Sequence, residues 1–161
     1  MVWEQIEAIT LDGAAASVSF ASGLTAYQFF RLTAYILNDA NAKDVLLRIN
    51  NDSGPNYATQ TIEAVASSIV GARVTGQTSN ALTVINFDAN RTGSFGLLIA
   101  KPAAGVKGQV LALNGINTSN LLVLAGGEWS NTADLINRID VIASSNNFAA
   151  GTSILLEGLS F

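Results

Sequence analysis

The chain lacks both cysteine and histidine. Without cysteine it has no disulfides, no thiolate metal sites and no thiol nucleophiles. Without histidine it has no imidazole general base, and it lacks the commonest transition-metal ligand. We therefore expect no enzymatic activity, no catalytic residue, no cofactor and no metal site. We expect the fold to be stabilised by apolar packing and sheet hydrogen bonds.

Charged side chains are also scarce: they make up 12% of the residues, and the net charge is −4. The eight lysines and arginines are scattered singly, so no basic stripe is present to neutralise a run of phosphates. Gly23, Gly54 and Gly76 do not form a phosphate-cradling motif. We therefore expect neither nucleic acid nor a nucleotide as a partner.

No apolar run approaches the ~20 residues that span a bilayer, although 49% of the residues are hydrophobic and the mean hydropathy is +0.36. We expect no membrane association, and we expect the excess apolar surface to contact other subunits. The first residues, from Met1 to Glu4, lack the basic start and apolar stretch of a secretory signal. This predicts synthesis in a cytoplasm without Sec-type export.

Short segments of alternating apolar and polar residues run through the chain, separated by turn residues at the spacing typical of β-sandwiches. In the clearest, Phe29–Leu37, the side chains of Phe30, Leu32, Ala34 and Ile36 share one face. The other predicted strands are 3–11, Ser17–Phe20, Val45–Ile49, 81–87, 95–101, 108–113, 121–125, 135–143 and Ser153–Leu159.

About ten strands in residues 1–161 predict a single all-β domain, a jelly-roll-like antiparallel β-sandwich. Residues 59–73 allow two interpretations, because Ile62, Val65 and Ile69 fall near helical spacing. We expect strand and loop there, since threonine, valine and serine are moderate helix formers and Gly71 interrupts the segment. A short helix would not change the fold class.

Two positions invite a chemical interpretation. Glu128 beside Trp129 resembles a carboxylate next to a sugar-stacking ring, but a tryptophan at a strand end is more typical of a core or rim position. Asp52 has the side chain to help hold calcium, although the EF-hand spacing is absent. The interpretation that we favour for Asp52 is a plain turn.

Three segments share a pattern with a known family. Near the N-terminus are Trp3, then Val18 and Phe20 in one strand and Tyr35 in the next. Residues 46–57 combine a leucine-arginine-isoleucine-asparagine strand end with Asp-Ser-Gly and a tyrosine, and the positions concerned are Arg48, Asn50, Asp52, Gly54 and Tyr57. Residues 136–159 contain a turn with Phe148 and Gly151 before a closing strand, and the positions that define this segment are Phe148, Gly151 and Glu157.

These segments resemble a family of small jelly-roll proteins of bacteriophage virions, with head-decoration, spike-base and tail-associated members. Glu157 stands where that family often has tyrosine. We expect Asp52 and Gly54 to shape a tight turn, Tyr57 to cap the edge of the core, and Arg48 to pair with a carboxylate on a neighbouring strand. The alternative is that this polar loop contacts a glycan or a partner subunit.

The resemblance implies a virion structural protein made in a host cytoplasm. We expect a capsid decoration (cement) protein that binds the major capsid protein or other virion proteins as a homo-oligomer, with trimers where shell subunits meet. The alternative is a tail-associated or receptor-binding module that recognises carbohydrate. For that alternative, Trp3 and Trp129 are candidate contacts with a glycan or a partner.

Overall fold

The computed structural model describes residues 2–39, 44–65, 67–83, 92–116 and 121–160. These ranges contain twelve β-strands and one short 3-10 helix, Leu24–Ala26. Within them, no helix is long and apolar enough to cross a membrane. The strands are β1 Glu4–Thr10, β2 Ser17–Phe20, β3 Phe29–Leu37, β4 Val45–Ile49, β5 Tyr57–Val65, β6 Ser68–Gln77, β7 Asn80–Thr83, β8 Thr92–Ala100, β9 Gly108–Ile116, β10 Leu121–Trp129, β11 Ile139–Ala143 and β12 Ser153–Leu159.

The strands form two sheets. The large sheet has eight strands in the order β1-β12-β3-β8-β9-β10-β5-β6, and the small sheet has four in the order β2-β11-β4-β7. Every neighbouring pair of strands is antiparallel. Buried apolar side chains from both sheets meet in one cluster between them. The predicted all-β, jelly-roll-like sandwich is therefore confirmed.

The core follows from the period-two alternation of the strands. In β3 every second residue from Phe30 to Ile36 faces the small sheet and is buried, whereas Thr33 and Tyr35 on the other face are exposed. The strands β4 and β12 alternate in the same way. Each fully buried leucine or isoleucine stabilises the fold by roughly 1.5–3 kcal/mol relative to an exposed one.

Four strands, β2, β3, β4 and β12, have the limits that their sequence pattern predicts. Residues 59–65 lie in β5 and residues 68–73 lie in β6, so the interpretation of this segment as strand and loop is confirmed and the helical one is wrong. The two strands pair along their length, for example Ile62 with Gly71. These two additional strands raise the count from about ten to twelve in the described residues.

The predicted strand 135–143 is wrong in its first part, because the strand begins only at Ile139. The side chain of Asn50 explains the difference: its amide nitrogen donates to the Leu135 carbonyl at 2.7 Å. Its oxygen accepts the backbone N–H groups of Asn137 and Arg138 at 2.8 and 3.1 Å. These side-chain hydrogen bonds replace the ladder bonds of a strand.

Five further strands differ in extent. The strands predicted at 3–11, 95–101 and 108–113 are observed as Glu4–Thr10, Thr92–Ala100 and Gly108–Ile116. The strand predicted at 81–87 begins at Asn80, and residues 84–87 lie outside the described residues. The strand predicted at 121–125 continues to Trp129, because β10 pairs with β9 and β5 along its whole length. It passes Gly127, where an added Cβ would lie 2.7 Å from Oδ1 of Asn80. Glycine therefore lets the small sheet approach β10 closely.

Candidate interaction surface

Asp52 lies in the turn between β4 and β5 and accepts hydrogen bonds from three groups. The Trp129 indole N–H donates at 2.8 Å, the Gly54 backbone N–H at 2.9 Å and the Asn56 amide at 2.9 Å. Burial raises the pKa of Asp52, but these hydrogen bonds outweigh it and hold the pKa below its ordinary value. Since Ca²⁺ requires oxygen ligands, this ring of N–H donors suits a structural turn that is fastened to the end of β10.

Tyr57 is buried behind this turn. Its hydroxyl donates to the Ile49 carbonyl at 3.1 Å and accepts the Ile49 backbone N–H at 2.9 Å. Burial raises the pKa of Tyr57 far above its ordinary value. The side chain thus satisfies both polar groups of the last residue of β4, at the edge of the core.

Arg48 donates to the Thr78 carbonyl at 3.3 Å. The carboxylate opposite Arg48 on the neighbouring strand belongs to Asp140, which is paired with Arg138 at 2.8 Å. The expected pairing of Arg48 with that carboxylate is therefore wrong, because a second arginine close to Asp140 in the chain occupies it.

Phe148 and Gly151 lie in the segment that leads into β12. The buried Phe148 exchanges backbone hydrogen bonds with Ala15 at 2.8 and 3.0 Å. Gly151 has a φ of 88°, and an added Cβ there would lie 3.0 Å from Leu37. Its left-handed backbone conformation favours glycine. Phe148 and Gly151 therefore have structural roles in the turn before β12.

The two tryptophans occupy different environments. Trp129 is fully buried. A Cβ added at Gly108 would lie 3.5 Å from its ring, and the Lys101 ammonium lies 5.3 Å from the ring centroid. The ring therefore offers no face on which a sugar could stack, which contradicts the expected glycan contact at this residue.

Trp3 is half-buried beside the large sheet, on the face that points away from the small sheet, which we call the outer face. The Arg31 guanidinium lies 5.0 Å from the Trp3 ring centroid. Arg31 also forms two hydrogen bonds to Glu157 on β12, at 2.6 and 2.7 Å. The arginine hydrogen bond to Glu157 lowers the pKa of that carboxyl. This part of the outer face is therefore polar and internally paired.

Across β8, β9, β10 and β5 the outer face is apolar. Six large aliphatic side chains there are each between 41% and 55% exposed. They lie side by side on neighbouring strands, where Leu98 is opposite Leu111, and Leu113 is opposite Leu124. We call them the leucine patch, which consists of Ile62, Leu98, Leu111, Leu113, Leu122 and Leu124.

A shallow depression of about 440 Å³ borders the leucine patch. Its polar lining includes Gln60, Arg73, Gln109 and Glu128, and we call it the polar groove. Lys107 donates to Glu128 at 3.1 Å. That hydrogen bond lowers the pKa of Glu128. The groove thus presents one cation, one paired carboxylate and two amides beside an aliphatic floor.

No family model and no curated protein matches the chain. Among solved structures, a galectin from Caenorhabditis elegans is similar with a TM-score of 0.36 and 8% identity, over 96% of each chain. A Shewanella oneidensis protein of unknown function has a TM-score of 0.26 and 6% identity, over 98% of this chain and 76% of its own. Lectin I-B4 from Griffonia simplicifolia, in its metal-free form, has a TM-score of 0.18 and 9% identity, over 98% and 93%.

Neither the leucine patch nor the polar groove is among the features that the sequence patterns predict. A signal for the patch is present, because Leu97-Leu98 and Val123-Leu124 place large apolar residues at consecutive positions of single strands. Strands with near-continuous apolar runs are typical of sheets that are covered on both faces. The groove has no such signal, since its residues come from four strands.

Proposed function

We propose that this chain is a non-catalytic structural protein that works by packing the outer face of its large sheet against another protein subunit. Following the sequence resemblance, we propose a bacteriophage particle as the assembly, with the protein bound to the head shell as a decoration protein. The leucine patch is the observation that carries this proposal.

The size of the leucine patch supports a protein partner. Its six side chains together expose roughly 500 Å², which is at the upper end for patches on monomers. A standard interface covers about 800 Å² on each partner. The patch with its immediate surroundings is therefore large enough for the apolar centre of one such interface.

The chemistry of the leucine patch supports a permanent contact. None of its six side chains is charged or polar, and Gly96, Gly115 and Gly126 lie between them on the same face. A flat aliphatic surface without charge suits burial against a second apolar surface, as in obligate assemblies. A shell subunit with an apolar surface is the partner to which we commit.

Leu124→Asp tests this proposal. The probe is a shell assembled from the major capsid protein encoded in the same genome, and binding is measured by co-sedimentation. Leu135→Asp is the matched control, because Leu135 is 40% exposed and Leu124 is 41% exposed, but Leu135 lies outside the patch. We expect wild type and the Leu135 variant to bind and the Leu124 variant to lose binding, since a buried unpaired carboxylate is strongly unfavourable.

Equal binding by both variants would contradict the outer face as the contact. Failure of the wild-type protein to sediment with the shell, or a genome without a capsid protein, would contradict the decoration role. Circular dichroism of each variant checks that the fold is retained.

The polar groove supports a second candidate function, recognition of a carbohydrate. Arginine, carboxylate and amide side chains are hydrogen-bonding partners for sugar hydroxyls, and here they border an aliphatic floor. The test is a glycan array with wild type, Arg73→Ala and, as a control on the same sheet, Arg31→Ala. Binding that is lost in the Arg73 variant and kept in the Arg31 variant would favour this candidate over the decoration role.

A further inference from the structure

The strand β6 forms one edge of the large sheet, where it pairs only with β5 among the described strands. All ten of its residues are exposed. They include Ile69, Val70 and Val74, whose exposed fractions are 79%, 53% and 45%. The only charged residue in the strand is Arg73. An exposed, apolar edge strand with free backbone groups is a template for pairing with another strand.

The opposite edge of the same sheet, β1, is protected. It carries Glu4 and Glu7, and its pairing with β12 is interrupted by an irregularity between Gln5 and Glu7. Charges and bulges are the devices that prevent edge-to-edge pairing. The strand β6 has an irregularity of its own between Val74 and Gln77, but from Ser68 to Val74 its register with β5 is regular and its one charge is Arg73. We therefore expect β6 to pair with an added strand more easily than β1.

We propose that β6 pairs antiparallel with β6 of a second copy of this chain, which joins the two large sheets into one continuous sheet across a twofold axis. This contact is independent of the leucine patch and goes beyond the proposed function. A second copy is the fitting occupant because a twofold contact requires only that one surface be complementary to itself.

The residue pattern of β6 is self-complementary when the twofold axis passes through Ala72. In that register Val70 of each copy lies opposite Val74 of the other, and both residues are half exposed in the single chain. Two cross-strand pairs of β-branched residues are formed, and each stabilises the pairing by roughly 0.2–1 kcal/mol. The valine pairs select this register over its neighbours.

The single charge is accommodated in the same register. Arg73 lies opposite Gly71 of the second copy, which has no side chain to compete for space. A register centred on Arg73 instead would place two arginines directly opposite each other, which is destabilising. Arg73 also interacts electrostatically with Glu128 of its own chain. Charge and size therefore both favour the axis at Ala72.

The test is the solution mass of the full chain, measured by sedimentation equilibrium at micromolar concentrations. We expect the wild type to be a dimer. Val70→Lys/Val74→Lys should raise the dimer dissociation constant at least about tenfold, because it sets like charges opposite each other. Val70→Lys/Val74→Glu should restore the dimer, since the new lysine of each copy then faces the new glutamate of the other. Val2→Lys, beside the β1 edge, is the control, because Val2 is 77% exposed and apolar, and it should remain dimeric.

A monomeric wild type, or a dimer that the lysine pair leaves intact, would overturn the proposal. So would a trimer, which would support instead the threefold assembly implied by the sequence resemblance. A lysine–glutamate variant that fails to dimerise would overturn the register centred on Ala72. Shell binding is measured separately on the same variants, so a failure of edge pairing is distinguishable from a failure of the decoration role.

Discussion

The two faces of β8, β9 and β10 both carry large apolar side chains but have different surroundings. Leu97 points toward the small sheet and is 1% exposed, whereas its neighbour Leu98 points outward and is 47% exposed. Antiparallel sheets with one solvated face usually alternate apolar with polar residues. Here large apolar residues occupy both faces, and the small sheet covers only one of them. The leucine patch therefore has the apolar character of a buried surface, as the proposed contact with a shell subunit requires.

The outer face is itself divided. Near β3 and β12 it carries Arg31, Thr33 and Glu157, and its charges are paired within the chain. Near β9 and β10 it carries the leucine patch. The proposed contact is therefore expected on β5 and β8–β10, where the outer face carries the leucine patch.

The largest effect that we predict is a difference in unfolding free energy between variants at Leu97 and Leu98, which lie on opposite faces of the sheet. Leu97→Ala should lower the free energy of unfolding by about 2–5 kcal/mol, because it removes buried methyl groups and leaves a cavity. Leu98→Ala should lower it by less than about 1 kcal/mol, since half of that side chain is already in water. Urea unfolding of the isolated chain measures both.

The denaturant dependence should be the same for both variants, which verifies that the surface exposed on unfolding is unchanged. Similar losses of stability at the two positions would break the comparison, because they would mean that the outer face is already buried in the isolated protein.

The next effect concerns the buried hydroxyl of Tyr57 at the edge of the core. Tyr57→Phe should cost about 1–3 kcal/mol, because it leaves the buried Ile49 N–H without the tyrosine hydroxyl, whereas the Ile49 carbonyl keeps the Asp52 N–H at 3.0 Å. Tyr35→Phe, at a half-exposed position of the outer face, is the control and should change stability little. Thermal unfolding of the pair, followed by circular dichroism, distinguishes them. A neutral Tyr57 variant would show that water reaches Ile49.

Most of the fold could be predicted from the sequence because local alternation determines which residues a strand buries. The strands β2, β3, β4 and β12 have their predicted limits for this reason. The error at residues 135–138 has a non-local cause: the amide that caps them belongs to Asn50, which lies 85 residues away from Leu135. No window of sequence around residue 135 contains that information.

The candidate site was harder to predict for a related reason. The strand-end position of Trp129 favoured a core or rim location, and Trp129 is buried. Its hydrogen-bond partner could not be predicted, because Asp52, which accepts the indole N–H, lies 77 residues away. The leucine patch depends on strand order, since β8, β9, β10 and β5 are neighbours only in the folded sheet. Alternation predicts two faces for each strand, and topology decides which faces join into one surface.

A smaller effect tests the charge on Asp52. The folded-state pKa of Asp52 lies below its unfolded value of about 3.9. The carboxylate therefore contributes stability that is present above pH 4 and lost as the pH falls through the folded-state pKa. Asp52→Asn should cost about 1 kcal/mol at neutral pH, and the difference from wild type should shrink toward pH 2. Urea unfolding at a series of pH values measures this difference. A difference that is constant with pH would mean that the hydrogen bonds do not depend on the charge.

The smallest effect tests the polar part of the outer face. Glu157→Gln removes the charge that pairs with Arg31 and keeps one of the two hydrogen bonds, because only the amide oxygen of glutamine accepts from the guanidinium. Since Arg31 is exposed to solvent, salt screens the pair. We expect a slightly lower melting temperature at low ionic strength and no difference in ~1 M salt. Glu63→Gln, on the opposite face of the same sheet, is the control. A loss that persists in high salt would show that Glu157 acts through its shape and packing and not through its charge.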